Sequence, residues 1–144
     1  MALQFKVVEI TDRSQMEHAW AIRRAVFIEE QGVPEEIELD EDDPHAFHVL
    51  ALEGNTPVGC GRMVAHDGYV KIGRMAVLNK RRGEGIGRSI LAFLMNHARE
   101  QGIRRAVLHA QLTAEGFYLK NGYIPESEVF EEAGIAHRRM SREL

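Results

Sequence analysis

The order of local signals along this chain predicts one mixed α/β domain: an antiparallel meander, a helical crossover to a parallel strand, then a closing hairpin. Three observations carry that reading. Strand-like stretches at residues 46–52, 58–65 and 69–78 are joined only by the turns Gly54-Asn55 and His66-Asp67-Gly68, the pattern of an antiparallel meander. Ile86, Ile90, Leu94 and Ala98 then repeat on one helical face, with Leu91 and Met95 beside them, and the apolar run 105–110 follows. A strand, a helix and a strand in that succession close as a right-handed parallel crossover, so the sheet is expected to be mixed, with one parallel pair in its middle. Finally, 144 residues with 44% hydrophobic content suffice for one substantial core and no second domain.

The elements follow in order. Residues 3–9 alternate in polarity and read as a first strand. Ser14-Gln15-Met16-Glu17 has the form of a capping box, and Met16, Trp20, Arg23 and Phe27 recur at helical spacing. A helix over 14–30 is predicted, ended by Gln31-Gly32-Val33-Pro34. After the meander, Gly102 stops the crossover helix, residues 113–121 form a short helix, and 123–130 pairs with 136–141. No linker, internal repeat or low-complexity stretch divides residues 1–144.

Several function classes are excluded early. No apolar run approaches the roughly 20 residues that span a bilayer, and residues 1–10 lack a signal-peptide pattern. The expected address is the cytoplasm, with no membrane partner. A lone Cys60 between Gly59 and Gly61 cannot form an intramolecular disulfide and reads as a small buried strand residue. A net charge of −4 disfavours nucleic acid as a partner. That charge is concentrated, since residues 35–43 carry seven acids in nine positions. Two readings stand: a solvated loop, or a mouth that attracts a cationic substrate such as an amine. An EF-hand is excluded, because counting from Asp40 the sixth position is His45 rather than Gly and the twelfth is Ala51 rather than Glu. His45 and His48, read on a strand, project from opposite faces, so no metal site is expected.

The chemistry concentrates in residues 74–89. Glycines at 83, 85 and 87 follow an apolar strand and open a helix, so backbone amides without intrahelical acceptors converge with the helix dipole on one point. Phosphate fits there, with Arg81, Arg82 and Arg88 around it. A P-loop is excluded because no Lys-Ser or Lys-Thr pair follows the glycines. A dinucleotide fingerprint is disfavoured because the spacing is G-x-G-x-G rather than G-x-G-x-x-G.

The same segment resembles the GNAT N-acetyltransferase superfamily, whose signature runs Leu-x-Val-x-Pro, two residues, Arg or Gln, two residues, Gly, one residue, Gly or Ala. Here it reads Met75-x-Val77-x-Asn79, then Arg82-x-x-Gly85-x-Gly87, with Met75 for Leu and Asn79 for Pro. Downstream, Gln111, Ala114, Tyr118 and Gly122-Tyr123 resemble the family's Asn-x-x-Ala-x-x-x-Tyr-x-x-x-Gly-Phe, with Gln111 for Asn and Tyr123 for Phe. Residues 23–34, together with Glu38, Asp40, His48 and the stretch 132–140, are further similar to a little-characterised bacterial GNAT branch.

The resemblance implies a splayed parallel strand pair flanked by helices, with the pantetheine arm of acetyl-CoA in the gap. Met75, Ala76 and Val77 would meet that arm through their backbone, and a backbone N–H near Val77 would stabilise the oxyanion. Arg82, Gly83, Glu84, Gly85, Ile86, Gly87 and Arg88 would hold the pyrophosphate. Gln111 offers its amide to the pantetheine, and Phe117 packs on the cofactor side. Tyr118 is the expected general acid, returning a proton to the departing thiolate. Phe27 stands on the substrate side, and Glu30, His48, His109 and His137 are the candidates for general base. The implied activity is direct acetyl transfer from acetyl-CoA, as co-substrate, to a primary amine of a small molecule or peptide, with no acyl-enzyme and no metal. The alternative is a CoA-binding sensor or regulatory module without turnover. The acceptor is expected to be cationic; its identity, the acyl-chain length and whether the chain forms a homodimer are left open.

Overall fold

The computed structural model describes residues 5–144. Strands β1 (Lys6–Glu9), β2 (Phe47–Glu53), β3 (Thr56–His66) and β4 (Tyr69–Val77) pair antiparallel in succession. Positions 3 and 4 of the expected first strand lie outside the described residues. β5 (Arg105–Gln111), β6 (Ile124–Pro125), β7 (Phe130–Glu132) and β8 (Ile135–Glu143) complete one eight-stranded sheet in the order β1-β2-β3-β4-β5-β8-β6, with β7 also on β8. β4 and β5 are the parallel pair, as a crossover through a helix requires.

Alternation along the strands sorts two cores onto two faces. Val49, Ala51, Ile72, Ala106 and Leu108 pack with Ile90, Leu91 and Leu94 of the crossover helix α3 (Ile86–Glu100). Leu50, Cys60 and Ala76 pack on the other face with Ala19 and Ile22 of α1 (Arg13–Arg23). Two short helices, α2 (Glu35–Glu38) and α4 (Glu115–Lys120), lie beside the cleft described below. No helix among the described residues is long and apolar enough to cross a membrane.

The first helix departs from its expected form at both ends. The capping box is built on Asp12 rather than Ser14: Asp12 Oδ1 accepts from the Gln15 N–H at 2.8 Å, and Gln15 Oε1 accepts from the Asp12 N–H at 3.3 Å. Asp12 holds the extended backbone that an N-cap needs, whereas Ser14 is already helical. At its far end the helix widens into a π-helix over Arg24–Glu30, where Gln31 N–H reaches back to Val26 O at 3.1 Å. Cys60 is buried as expected, its thiol between the carbonyls of Ala19 and Arg74, and burial pushes it up to about 12.

β4 is where the sheet departs from regularity. Its register against β3 slips between Cys60 and Arg62, and Arg74 takes a φ of +50°, a left-handed conformation costly for a non-glycine residue. On its other edge β4 pairs with β5 only through Val70↔Ala106, Lys71↔Val107 and Ile72↔Leu108. β5 stays paired along its whole length with β8, from Arg105↔Glu143 to Gln111↔His137, so the two parallel strands part beyond Ile72.

The acidic stretch divides: Glu35, Glu36, Glu41 and Asp42 are exposed, whereas Glu38, Asp40 and Asp43 are paired with arginines. Glu38 is 3% exposed and pairs with Arg23, itself 1% exposed. Asp43 Oδ1 accepts from Arg23 at 2.9 Å and from Arg62 at 2.6 Å, and both Asp40 oxygens accept from Arg62 at 2.7 Å. Arg74 donates to the Glu38 carbonyl and to Asp40 Oδ2, each at 3.1 Å. Three acids thus neutralise three arginines contributed by α1, β3 and β4, and the network fixes the loop over the sheet. The Arg62 hydrogen bonds hold Asp40 at about 2, against 3.8 for an unperturbed carboxyl. Because its folded-state value is depressed, the stabilisation is complete above the unfolded value and is lost as pH falls toward the folded one. Thermal midpoints should therefore fall between about pH 4 and about pH 2, and fall less steeply in Asp40→Asn; equal slopes would remove Asp40 from the acid response.

Candidate active site

A cleft of about 1770 Å³ follows the gap between β4 and β5 and continues to the start of α3. At that end Gly83 and Gly85 have φ of +84° and +86°, and a Cβ at either would meet nothing within 4 Å. Glycine is needed there for backbone conformation, and the space in front of the turn is open. Gly85 is the residue at which α3 begins, so the first amides of the helix face that space. Ile86 is 1% exposed, its side chain packed into the core beneath α3. A Cβ on Gly87 would stand 3.6 Å from the Phe117 ring, which places Phe117 beside the cradle. Arg88 lines the cleft, is exposed, and forms no ion pair among the described residues.

The other two arginines differ. Arg81 is a brace rather than a phosphate ligand: its Nη1 and Nη2 grip the two oxygens of Glu53 at 3.0 and 2.6 Å, and its Nε donates to Glu84 at 2.7 Å. Glu84 is thereby turned to the turn's own support. Arg82 forks onto Glu30 at 2.6 and 2.8 Å while its Nε donates to Val77 O at 3.1 Å. That hydrogen bonding lowers the Glu30 carboxyl below its usual range, which removes it as a ready base. The pair is solvent-exposed, and such pairs are worth about 0.2–1 kcal/mol. If Arg82 serves a phosphate, Glu30→Gln should tighten acetyl-CoA binding by up to about fivefold in calorimetry, and a weaker complex would count against it.

Along the gap the backbone is oriented for pairing. The Leu78 N–H donates to Val58 O at 3.0 Å, so strand alternation turns the N–H groups of Val77 and Met75 to the edge that β5 has left. The Ala76 side chain is buried toward α1. Tyr118 of α4 packs beside Phe117 and Tyr123, with ring centroids at 5.0 and 5.8 Å, and its hydroxyl donates to Met75 Sδ at 3.8 Å. Burial pushes this phenol up to about 12, so it keeps its proton throughout the neutral range.

The substrate-side candidates separate. Phe27, on the π-helical turn, lines the cleft. His48 does not: it is buried behind the arginine network, its Nε2 2.8 Å from the Asp43 carbonyl, and burial lowers its pKa. His48 is therefore removed from the base candidates. His45, expected on the strand, sits instead in a 3-10 turn before it. Leu108 and Ala110 face α3, so His109 and Gln111 project toward the face that carries α1, where Gln111 Nε2 donates to Gln31 Oε1 at 2.8 Å. His137 lies opposite Gln111 on β8. Sequence reasoning missed Glu132, whose carboxylate stands between His109 and His137 at 3.0 and 3.8 Å. It is placed by Glu132-Ala133-Gly134-Ile135, a two-residue hairpin turn with φ of +53° and +76° at its centre, which an alanine does not announce in sequence. Among the described residues no group of His, Cys, Asp and Glu is disposed to hold a metal ion.

Comparison with known proteins agrees with this geometry. Residues 10–144 match the model of the Acetyltransferase (GNAT) domain. The chain is 38% identical over 139 residues to the uncharacterized N-acetyltransferase YjcF of Bacillus subtilis, covering 96% of this chain and 99% of YjcF. A crystal structure of a Lactobacillus plantarum protein superposes with a TM-score of 0.90 at 26% identity, over 97% of this chain and 98% of that one. A GNAT family acetyltransferase from Elizabethkingia anophelis, solved with acetyl-CoA bound, shares the fold with a TM-score of 0.75 at 18% identity, over 97% and 98% of the two chains. With the family model spanning both the splayed strands and the glycine turn, the chain belongs to the GNAT acetyltransferase family.

Proposed function

We propose that the protein transfers an acetyl group from acetyl-CoA directly to a primary amine of a small molecule or peptide. The observation that carries this reading is the continuity of the cleft: unpaired strand edge, glycine cradle and phenol lie along one path. The edge N–H groups of Met75 and Val77, with the Met75 C=O, suit an amide-bearing extended arm, which adds to β4 as a strand would, while the Val77 C=O already accepts from Arg82. The amides of Gly85, Ile86 and Gly87, with Arg88 and a released Arg82, suit a pyrophosphate. The Val77 N–H is then the donor available to an oxyanion on a thioester carbonyl beside it.

Tyr118 works on the departing sulfur. A thiol titrates near 8.5, so moving a proton to it from a phenol at about 12 costs about 5 kcal/mol if phenolate accumulates. The cost disappears when Tyr118 hands its proton to sulfur as it takes one from the nitrogen of the same tetrahedral intermediate. The arginine network leaves Glu38, Asp40 and Asp43 without free charge, so the attraction of a cationic acceptor falls to other groups at the cleft.

The test is calorimetry with acetyl-CoA, followed by CoA release over polyamines, amino acids, aminoglycosides and lysyl peptides. Binding with turnover of any amine supports the transferase. Binding with none supports a CoA sensor, and no binding removes both.

A further inference from the structure

The face of the sheet opposite α3 holds a cluster that the acetyl-CoA path does not use. Parallel pairing ends at Ile72↔Leu108, so His109 is the first β5 residue where the gap opens, and it points away from α3 toward the acceptor side. Its Nδ1 lies 3.0 Å from Glu132 Oε1. The second oxygen of Glu132 lies 3.8 Å from His137 Nε2, while His137 Nδ1 is 2.7 Å from the Ile135 carbonyl, an acceptor that fixes the proton on Nδ1. Phe130 packs edge-on against His109 and stacks on His137, with centroids at 5.1 and 6.0 Å, so both rings are held. His109, Glu132 and His137 all line the cleft.

We infer that His109 is the base that takes the acceptor's proton, positioned by Glu132, whose other oxygen faces His137. The inference rests on the transferase reading and names the residue that reading lacks. A carboxylate acceptor at Nδ1 selects the Nδ1–H tautomer of His109, which leaves the Nε2 lone pair free toward the cleft. Glu132 is suited to that task because the His109 hydrogen bond lowers its carboxyl below the usual range and keeps it ionised. Lys71 on β4 lies near the same carboxylate, and Arg139 opposes His109 across the β5–β8 register while pairing with Glu126. Glu132 is therefore the negative charge aimed at His109 amid cations.

The protons balance. An ammonium acceptor gives its first proton to His109 Nε2, directly or through one water, and the imidazolium passes it to solvent. The freed nitrogen pair forms the N–C bond to the thioester carbonyl, the C–S bond breaks with its pair leaving on sulfur, and the second N–H proton reaches that sulfur through Tyr118. The products are the amide, CoA thiol and one solvated proton.

Nitrogen-15 spectra of the wild type, which need no variant to fold, should show His109 protonated on Nδ1 and bare on Nε2. Glu132→Gln should erode that preference and lower kcat without moving the KM of the amine, and Glu132→Asp should restore part of both. His109→Gln should lower turnover of the amines in the panel about 10²- to 10⁴-fold with unchanged acetyl-CoA affinity. A proton on Nε2 of His109, or full turnover by His109→Gln on an amine the wild type acetylates, overturns the assignment while leaving the transferase intact. A wild type that binds acetyl-CoA and acetylates no amine overturns the transferase reading, and the base falls with it.

Discussion

Gly85→Asp should abolish acetyl-CoA binding in a protein that remains folded. The residue sits at φ +86°, a conformation that aspartate tolerates better than most side chains, and its Cβ meets nothing within 4 Å. The change therefore strains the turn without blocking it, and Gly85→Asn, which carries the same backbone strain, serves as its control. The new carboxylate stands in front of the α3 amides, where the pyrophosphate is to sit, and juxtaposed like charges cost several kcal/mol. At 1.4 kcal/mol per decade that is a loss of more than about 100-fold. Gly85→Asn has nearly the same shape without the charge and should retain much of the affinity. If calorimetry finds the aspartate variant binding as well as the parent, the phosphate lies elsewhere.

Tyr118→Phe should keep the fold and acetyl-CoA affinity and lower kcat about 10²- to 10⁴-fold. The aromatic packing against Phe117 and Tyr123 is unchanged by the substitution, and the only bond deleted is a long one to a thioether sulfur. A neutral hydrogen bond is worth about 0.5–1.5 kcal/mol, and one to sulfur at 3.8 Å less, so the melting temperature should barely move. The effect belongs in turnover alone, because the hydroxyl acts only when the C–S bond breaks. Undiminished turnover would assign the proton of the leaving sulfur to solvent.

What was legible in the sequence was whatever is contiguous. The meander, the crossover and the glycine turn are each written in neighbouring residues, and the positive φ values at Gly83 and Gly85 are of the kind that glycine spacing announces. Tyr118 was reachable for the same reason, as one member of a local motif. The arginine network was not, because Arg23, Arg62 and Arg74 come from a helix and two strands and meet 37 to 43 only through the tertiary fold. Nor was Glu132. Its hairpin turns at Ala133, and alanine in a left-handed conformation carries none of the Asn-Gly chemistry by which such turns are read. That is why the closing strands were expected at 123–130 and 136–141, whereas β7 and β8 meet across residues 133 and 134 and β6 is a separate two-residue strand. The capping box slipped by two residues for a smaller reason, since Asp12 and Ser14 are both good caps and only the backbone chooses.

The three residue pairs that join β4 to β5 give the sheet the mechanics of two plates fastened at one corner. On one side β1 to β4 form one plate, broken only by register slips along β3, and on the other β5 is laced along its whole length to β8, with the two-residue β6 beyond. Beyond Ile72 nothing in the sheet's own hydrogen bonding sets the angle between them. That angle is carried by the side chains beneath α3, which resist separation far less directionally than a ladder does. A molecule that laces itself to β4 across the opening would therefore act as a second fastener, and the stiffness of the whole sheet would become a property of the complex rather than of the polypeptide.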